Sequence, residues 1–218
     1  VKRLIPALCL AGAVLFWGTS FVGTKIALDT FTPMTIIWMR LVLASALFVP
    51  LVLRLPRPEY RPGDWKWFLL LSVLQPCLYY LFEGYAVLFT TSSQAGVISA
   101  IVPLLVAAGA WAFLRERLSP RAVIAIAVSL GGVAALSFGG TAQASAPNPL
   151  LGNSLEFFAM VSAAGSMLAV KHLTSRYNPW VITGVQNAVG AVFFLPGALA
   201  SGPANWAHAP LLAWGTIA

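Results

Sequence analysis

Apolar runs of about 20 residues, separated by short polar breaks, constrain this chain more than any other feature. They cover approximately residues 5–28, 34–53, 65–89, 96–114, 122–138, 155–170 and 181–199, and another begins at Leu211. Each approaches or exceeds the length that crosses hydrocarbon. Inside lipid a backbone finds no water to bond, so such runs are expected as α-helices. The breaks carry turn chemistry: Asp29-Thr30-Phe31-Thr32-Pro33, then Arg57-Pro58 to Pro62-Gly63, then Gly139-Gly140 to Pro149. Composition agrees, since only 9% of the 218 residues are charged. A soluble domain carries roughly a quarter, because its surface faces water.

The net charge of +7 does not point to nucleic acid. That reading needs basic residues gathered on one face, and here they sit in short clusters between apolar runs. Lys2, Arg3, Arg54, Arg57, Arg61, Lys66, Arg115, Arg117, Arg121, Lys171 and Arg176 all fall on the N-terminal side of an alternating topology. The opposite loops hold no Lys or Arg; Lys25 and Arg40 lie within spans. The positive-inside rule therefore predicts a cytoplasmic N-terminus in a bacterial inner membrane. Lys2-Arg3 and the following run could open a signal peptide cut at Ala11-Gly12-Ala13, but the run continues to Leu28 and reads better as the first span.

The chain also repeats. The offset of 146 residues that separates Lys25 from Lys171 pairs Ser20 with Ser166, Pro33 with Pro179, Ile36 with Ile182, Phe48 with Phe194 and Pro50 with Pro196. Five spans separate the copies, so the second enters the membrane from the other side. The expected fold is an all-α polytopic membrane protein, an inverted-repeat five-plus-five helix bundle with its second half truncated in this sequence. Its parts are residues 1–140 (first copy), 141–151 (a linker expected to be periplasmic) and 152–218 (the start of the second copy).

Several segments together resemble the EamA-type family of the drug/metabolite transporter superfamily. They are Leu15-Phe16-Trp17-Gly18-Thr19-Ser20-Phe21, then Pro33 and Arg40, then Tyr80-Leu81-Phe82-Glu83-Gly84-Tyr85-Ala86 with Thr91-Ser92-Ser93. Pro103, Arg115-Glu116-Arg117-Leu118-Ser119, and Gly152-Asn153 through Pro179 and Gln186 complete the set. The resemblance covers nearly the whole chain. It implies ten helices in two inverted halves, a central cavity, no ATP hydrolysis, and export or uptake of amino acids, metabolites or drugs.

Arg40 and Glu83 are the side chains most costly to place in a span, and such charges face a cavity or a partner. Each lies about 10 Å below the face expected to be periplasmic, so an ion pair between them is open, either lining the cavity or only joining two spans. Lys25, one turn from its helix end, could snorkel to the interface. Trp17 shares a helix face with Ser20, Phe21 and Thr24, and Tyr79, Tyr80 and Glu83 share another. Pro76 is expected to kink the third span and free carbonyls toward the cavity. The candidate substrate-binding set is Trp17, Ser20, Arg40, Tyr79, Tyr80, Glu83 and Gln186, the last being the positional counterpart of Arg40. Plain helix packing is the competing reading for the aromatic members, and a bridge between helices for Gln186.

Neither Cys9 and Cys77 nor His172 and His208 has metal-ligand spacing, and no nucleophile–base set falls within the spans, so no cofactor or metal and no enzymatic activity are expected. Gly18 to Lys25 superficially resembles a phosphate loop, but Thr24 intrudes before Lys25 and no strand precedes it. Ala127, Gly131 and Ala135 form a small-residue stripe for close helix approach, within one chain or in a homodimer. The leading expectation is a secondary transporter of small organic solutes in a lipid bilayer. A partner-dependent scaffold or half-transporter is the alternative, and an intramembrane enzyme the weakest.

Overall fold

The structure, a computed structural model, describes residues 4–55 and 60–201. Lys2, Arg3, Arg57, His208 and the run from Leu211 lie outside the described residues. Within them the chain is helical and forms seven helical segments long and apolar enough to cross a membrane. The first two spans are α1 (Leu4–Ala27) and α2 (Pro33–Leu53). The third contains α3 (Asp64–Ser72), a π-helical segment (Val73–Leu78) and α4 (Tyr79–Phe89). The fourth is α5 (Ser92–Ser99) and α6 (Val102–Leu114), and α7 (Pro120–Gly139), α8 (Pro149–Leu173) and α9 (Pro179–Ala200) are the rest.

One start signal recurs: a short polar residue followed by proline. Thr32, Ser119, Asn148 and Asn178 each accept a backbone N–H of the first turn, and Pro33, Pro120, Pro149 and Pro179 follow them. The side chain satisfies an orphan donor, while proline has no N–H to orphan and a φ already set for helix. Pro76 acts the other way, inside a span. Gln75 before it leaves helical geometry (φ −145°, ψ 119°), so the third span is broken where the sequence predicts a kink.

Two antiparallel pairings organise the bundle. The start of α2 meets the end of α9, where Thr32 Oγ1 donates to Ser201 Oγ at 2.8 Å, and Gly184 opens a place for Val52 at the other end. The start of α8 meets the end of α4: a Cβ on Gly152 would lie 2.7 Å from the Thr90 nitrogen, so only glycine allows the approach. Near the opposite face, Leu71 of α3 packs with Ala169 and Leu173 of α8. α8 is therefore the most enclosed helix, while α1 and α7 are the most exposed.

On α7 the small-residue stripe faces away from the described bundle. Val133, Leu136 and Ser137 turn inward, whereas Ala127, Gly131 and Ala135 are exposed and a Cβ on Gly131 would meet nothing within 4 Å. Among the described residues the small-residue stripe joins no helix. The apolar Val133 and Leu136 bury more area against the core than the stripe could, and this sets the rotation of α7.

Candidate functional site

Three helices bring polar side chains to one layer. Arg40 lies seven residues past Pro33 at the start of α2, Glu83 six before Phe89 at the end of α4, and both are about 10 Å below the same face of the bundle. α1 adds Trp17 and Ser20 one turn apart. Trp17, Ser20, Arg40, Tyr79, Tyr80 and Glu83, with Phe16, surround a single cavity of about 220 Å³. A narrower crevice of about 20 Å³ shares Arg40, Tyr80 and Glu83 and adds Thr24, Pro33 and Gly84. It has room for about one water.

The aromatic wall is held by a chain of donors. Trp17 Nε1 donates to the Tyr79 hydroxyl at 3.1 Å, and that hydroxyl donates to Glu83 Oε1. Tyr80 packs edge-on against Tyr79 with ring centroids 4.9 Å apart. Arg40 and Glu83 do not form a contact ion pair. Arg40 Nη1 donates to Thr24 Oγ1 at 3.3 Å, and Glu83 is served by Tyr79. The two charges face the same cavity, each held by a hydroxyl from another residue, so both keep bonding capacity directed into it. The ion pairs among the described residues lie at the far face: Lys171 with Glu116 (2.6 Å) and Arg176 with Asp64 (2.5 Å).

Gln186 lies elsewhere and lines neither cavity. Its Nε2 donates at 2.9 Å to the Gln75 carbonyl, which the break in span three leaves without a helical partner, while Ser166 donates to Gln75 Oε1 at 2.7 Å. Ser166 and Gln186 are the positions that the 146-residue offset pairs with Ser20 and Arg40. The freed carbonyl is thus tied to α9 instead of standing open to the cavity. Lys25 does not snorkel outward either: Nζ donates to the Val87 and Thr90 carbonyls at 2.6 and 3.1 Å, capping the C-terminal end of α4, where a cation is favoured.

Two groups were missed in the sequence. Asp64, 4% exposed, gathers Arg176, the Tyr177 hydroxyl (2.9 Å) and the Arg61 nitrogen (3.1 Å), tying α3 to the turn between α8 and α9. Burial, with the Asp64 carboxylate beside it, pushes the Tyr177 phenol above its usual range. Asn153 and Glu156 on α8 are fully buried. Thr90 Oγ1 donates to Asn153 Oδ1 at 2.6 Å, but among the described residues neither Glu156 oxygen has a hydrogen-bond partner.

Fold and site define the chain as an all-α, multi-pass membrane protein with a polar cavity inside its bundle. It belongs to the EamA-like transporter family, which matches residues 4–138. Among its relatives is an uncharacterized transporter of Bacillus subtilis, YetK, 26% identical over 201 residues, covering 91% of this chain and 61% of YetK. An uncharacterized transporter of Archaeoglobus fulgidus is 29% identical over 206 residues, covering 91% of this chain and 68% of that protein. A second Bacillus subtilis protein, the uncharacterized transporter YcxC, is 28% identical over 178 residues, 81% of this chain and 57% of its own length. The chain thus spans about three fifths of the length of YetK and YcxC.

Proposed function

We propose that the protein is a secondary transporter that moves small zwitterionic solutes through the cavity beside Trp17, Ser20, Arg40, Tyr79, Tyr80 and Glu83. The carrying observation is that a guanidinium and a carboxylate line one cavity without pairing with each other. A solute with a carboxylate and an ammonium meets both: Arg40 offers a forked donor to the first, and Glu83 beside aromatic faces offers a counter-charge to the second. The cavity, about 220 Å³, is smaller than the 300–1,000 Å³ typical of drug-sized sites, which favours a small metabolite.

Alternating access would come from two inverted copies, residues 1–140 and 152 onward, rocking about that site. The antiparallel pairing of α2 with α9 supports this, since the offset makes these helices counterparts. The N-terminus is cytoplasmic in this reading, from the basic residues gathered at one face. Uptake of radiolabelled amino acids into proteoliposomes carrying the full-length protein tests it. Saturable uptake that is lost in Arg40→Gln and Glu83→Gln, with both variants still folded, is expected. Uptake unchanged in both variants would move the site elsewhere.

A further inference from the structure

Glu156 is the one carboxyl deep inside the described spans, away from their ends, for which the cavity gives no role. Its side chain is 0% exposed, and among the described residues neither oxygen has a donor within hydrogen-bond reach. It stands seven residues past Pro149, in the same layer as Glu83 and Arg40. Its surroundings on α8 are Ala159, Met160 and Ala163, which pack with Ile98, Ile101, Val102 and Tyr79 in one apolar cluster. Glu83 and Tyr79 are within electrostatic reach of it.

Among the described residues, the other helices against α8 offer no compensating cation. α5 and α6 hold no charged residue, α7 holds only Arg121 in its first turn, and the π-helical segment adds only Cys77. Asp64 and Lys66 of α3 lie at the far face, as do Lys171 and His172, about 22 Å along α8. On α4 the neighbours are Tyr79, Tyr80, Glu83 and Tyr85, and beyond it Arg40 is engaged with Thr24 and Lys25 with main-chain carbonyls. A bare carboxylate cannot be kept in such a place, least of all beside a second one. A hard metal cation would need a shell of about six oxygens, more than Glu83 and Tyr79 add to Glu156 beside this apolar cluster. A proton needs a single oxygen.

We propose that Glu156, set beside Glu83 through Tyr79, is the proton-carrying site of this protein, so that solute movement is coupled to proton movement. The carboxylate takes a proton from water when the cavity is open on one side, holds it as a neutral acid while sealed, and returns it to water on the other side. The coupling rests on the transporter reading above; the proton site itself does not.

Two measurements test it on the full-length protein. Infrared titration with the proton as probe should show a carboxylic-acid carbonyl band at neutral pH that disappears in Glu156→Gln and shifts in Glu156→Asp. A band unchanged in both variants overturns the proposal. In proteoliposomes, with labelled amino acids as probe, an imposed pH gradient should raise accumulation by up to about tenfold per pH unit for one proton per solute. Glu156→Gln should keep solute exchange and lose that gain. Accumulation driven by a sodium gradient, or still driven by the pH gradient in Glu156→Gln, overturns the coupling. If the wild type moves no amino acid, the transporter reading fails while the infrared result still decides the proton site.

Discussion

Replacing Asp64 with alanine should loosen the far face of the bundle more than any other single change there. The carboxylate is 5% exposed and receives Arg176 at 2.5 Å, the Tyr177 hydroxyl at 2.9 Å and the Arg61 nitrogen at 3.1 Å. Removing one member of a buried pair typically costs 3–5 kcal/mol, because its partner keeps an uncompensated charge. Arg176 is 21% exposed and can recover some hydration, so we expect about 3 kcal/mol. Buried Cys77 provides the assay: in a Cys9→Ser background, a thiol-reactive dye reads unfolding as Cys77 becomes accessible. Arg176→Ala and the double variant complete the cycle, with a coupling of about 1–3 kcal/mol expected. Glu116→Ala, at a pair whose side chains are 53% and 61% exposed, should cost less than about 1 kcal/mol. Additive effects of Asp64→Ala and Arg176→Ala, or an Asp64→Ala protein as stable as the wild type, would refute the reasoning.

Gln186→Leu leaves the Gln75 carbonyl without its donor and should destabilise by about 1–3 kcal/mol in the same dye assay, with Asn187→Leu as the comparison. Gly152→Ala places a Cβ 2.7 Å from the Thr90 nitrogen and should cost about 1–3 kcal/mol by forcing α8 off α4; Gly131→Ala, in open space, should be silent. Cysteines placed between Gly140 and Pro149 should react with an impermeant thiol reagent added outside intact cells, and one at Glu116 should not. The reverse pattern inverts the topology.

The spans were legible because lipid leaves a backbone few options. Their limits follow the apolar runs closely in most of the chain, and the prolines after Thr32, Ser119, Asn148 and Asn178 explain where helices begin. Six of the seven candidate residues surround one cavity, because charge and mid-span aromatics are costly enough to stand out. Glu156 was missed through a boundary: a span taken to start at Leu155 puts it at a helix end, whereas α8 starts at Pro149 and buries it. A capping asparagine before that proline was the available signal. Depth alone could not separate an ion pair from two charges sharing a cavity, since hydroxyls on other residues decide it. The partner of Gln186 was illegible for a similar reason: it depends on which carbonyl the break at Gln75 frees.

Substrate protection shows whether a small solute occupies the cavity beside Trp17. A cysteine introduced at Ser20 in the full-length Cys9→Ser protein, where Cys77 stays buried, lies on the cavity wall, and one at Ala127 lies on the exposed face of α7. An amino acid that the protein carries should slow thiol labelling at Ser20 and leave Ala127 unchanged. Equal labelling at Ser20 with and without a solute that is demonstrably transported would contradict the account.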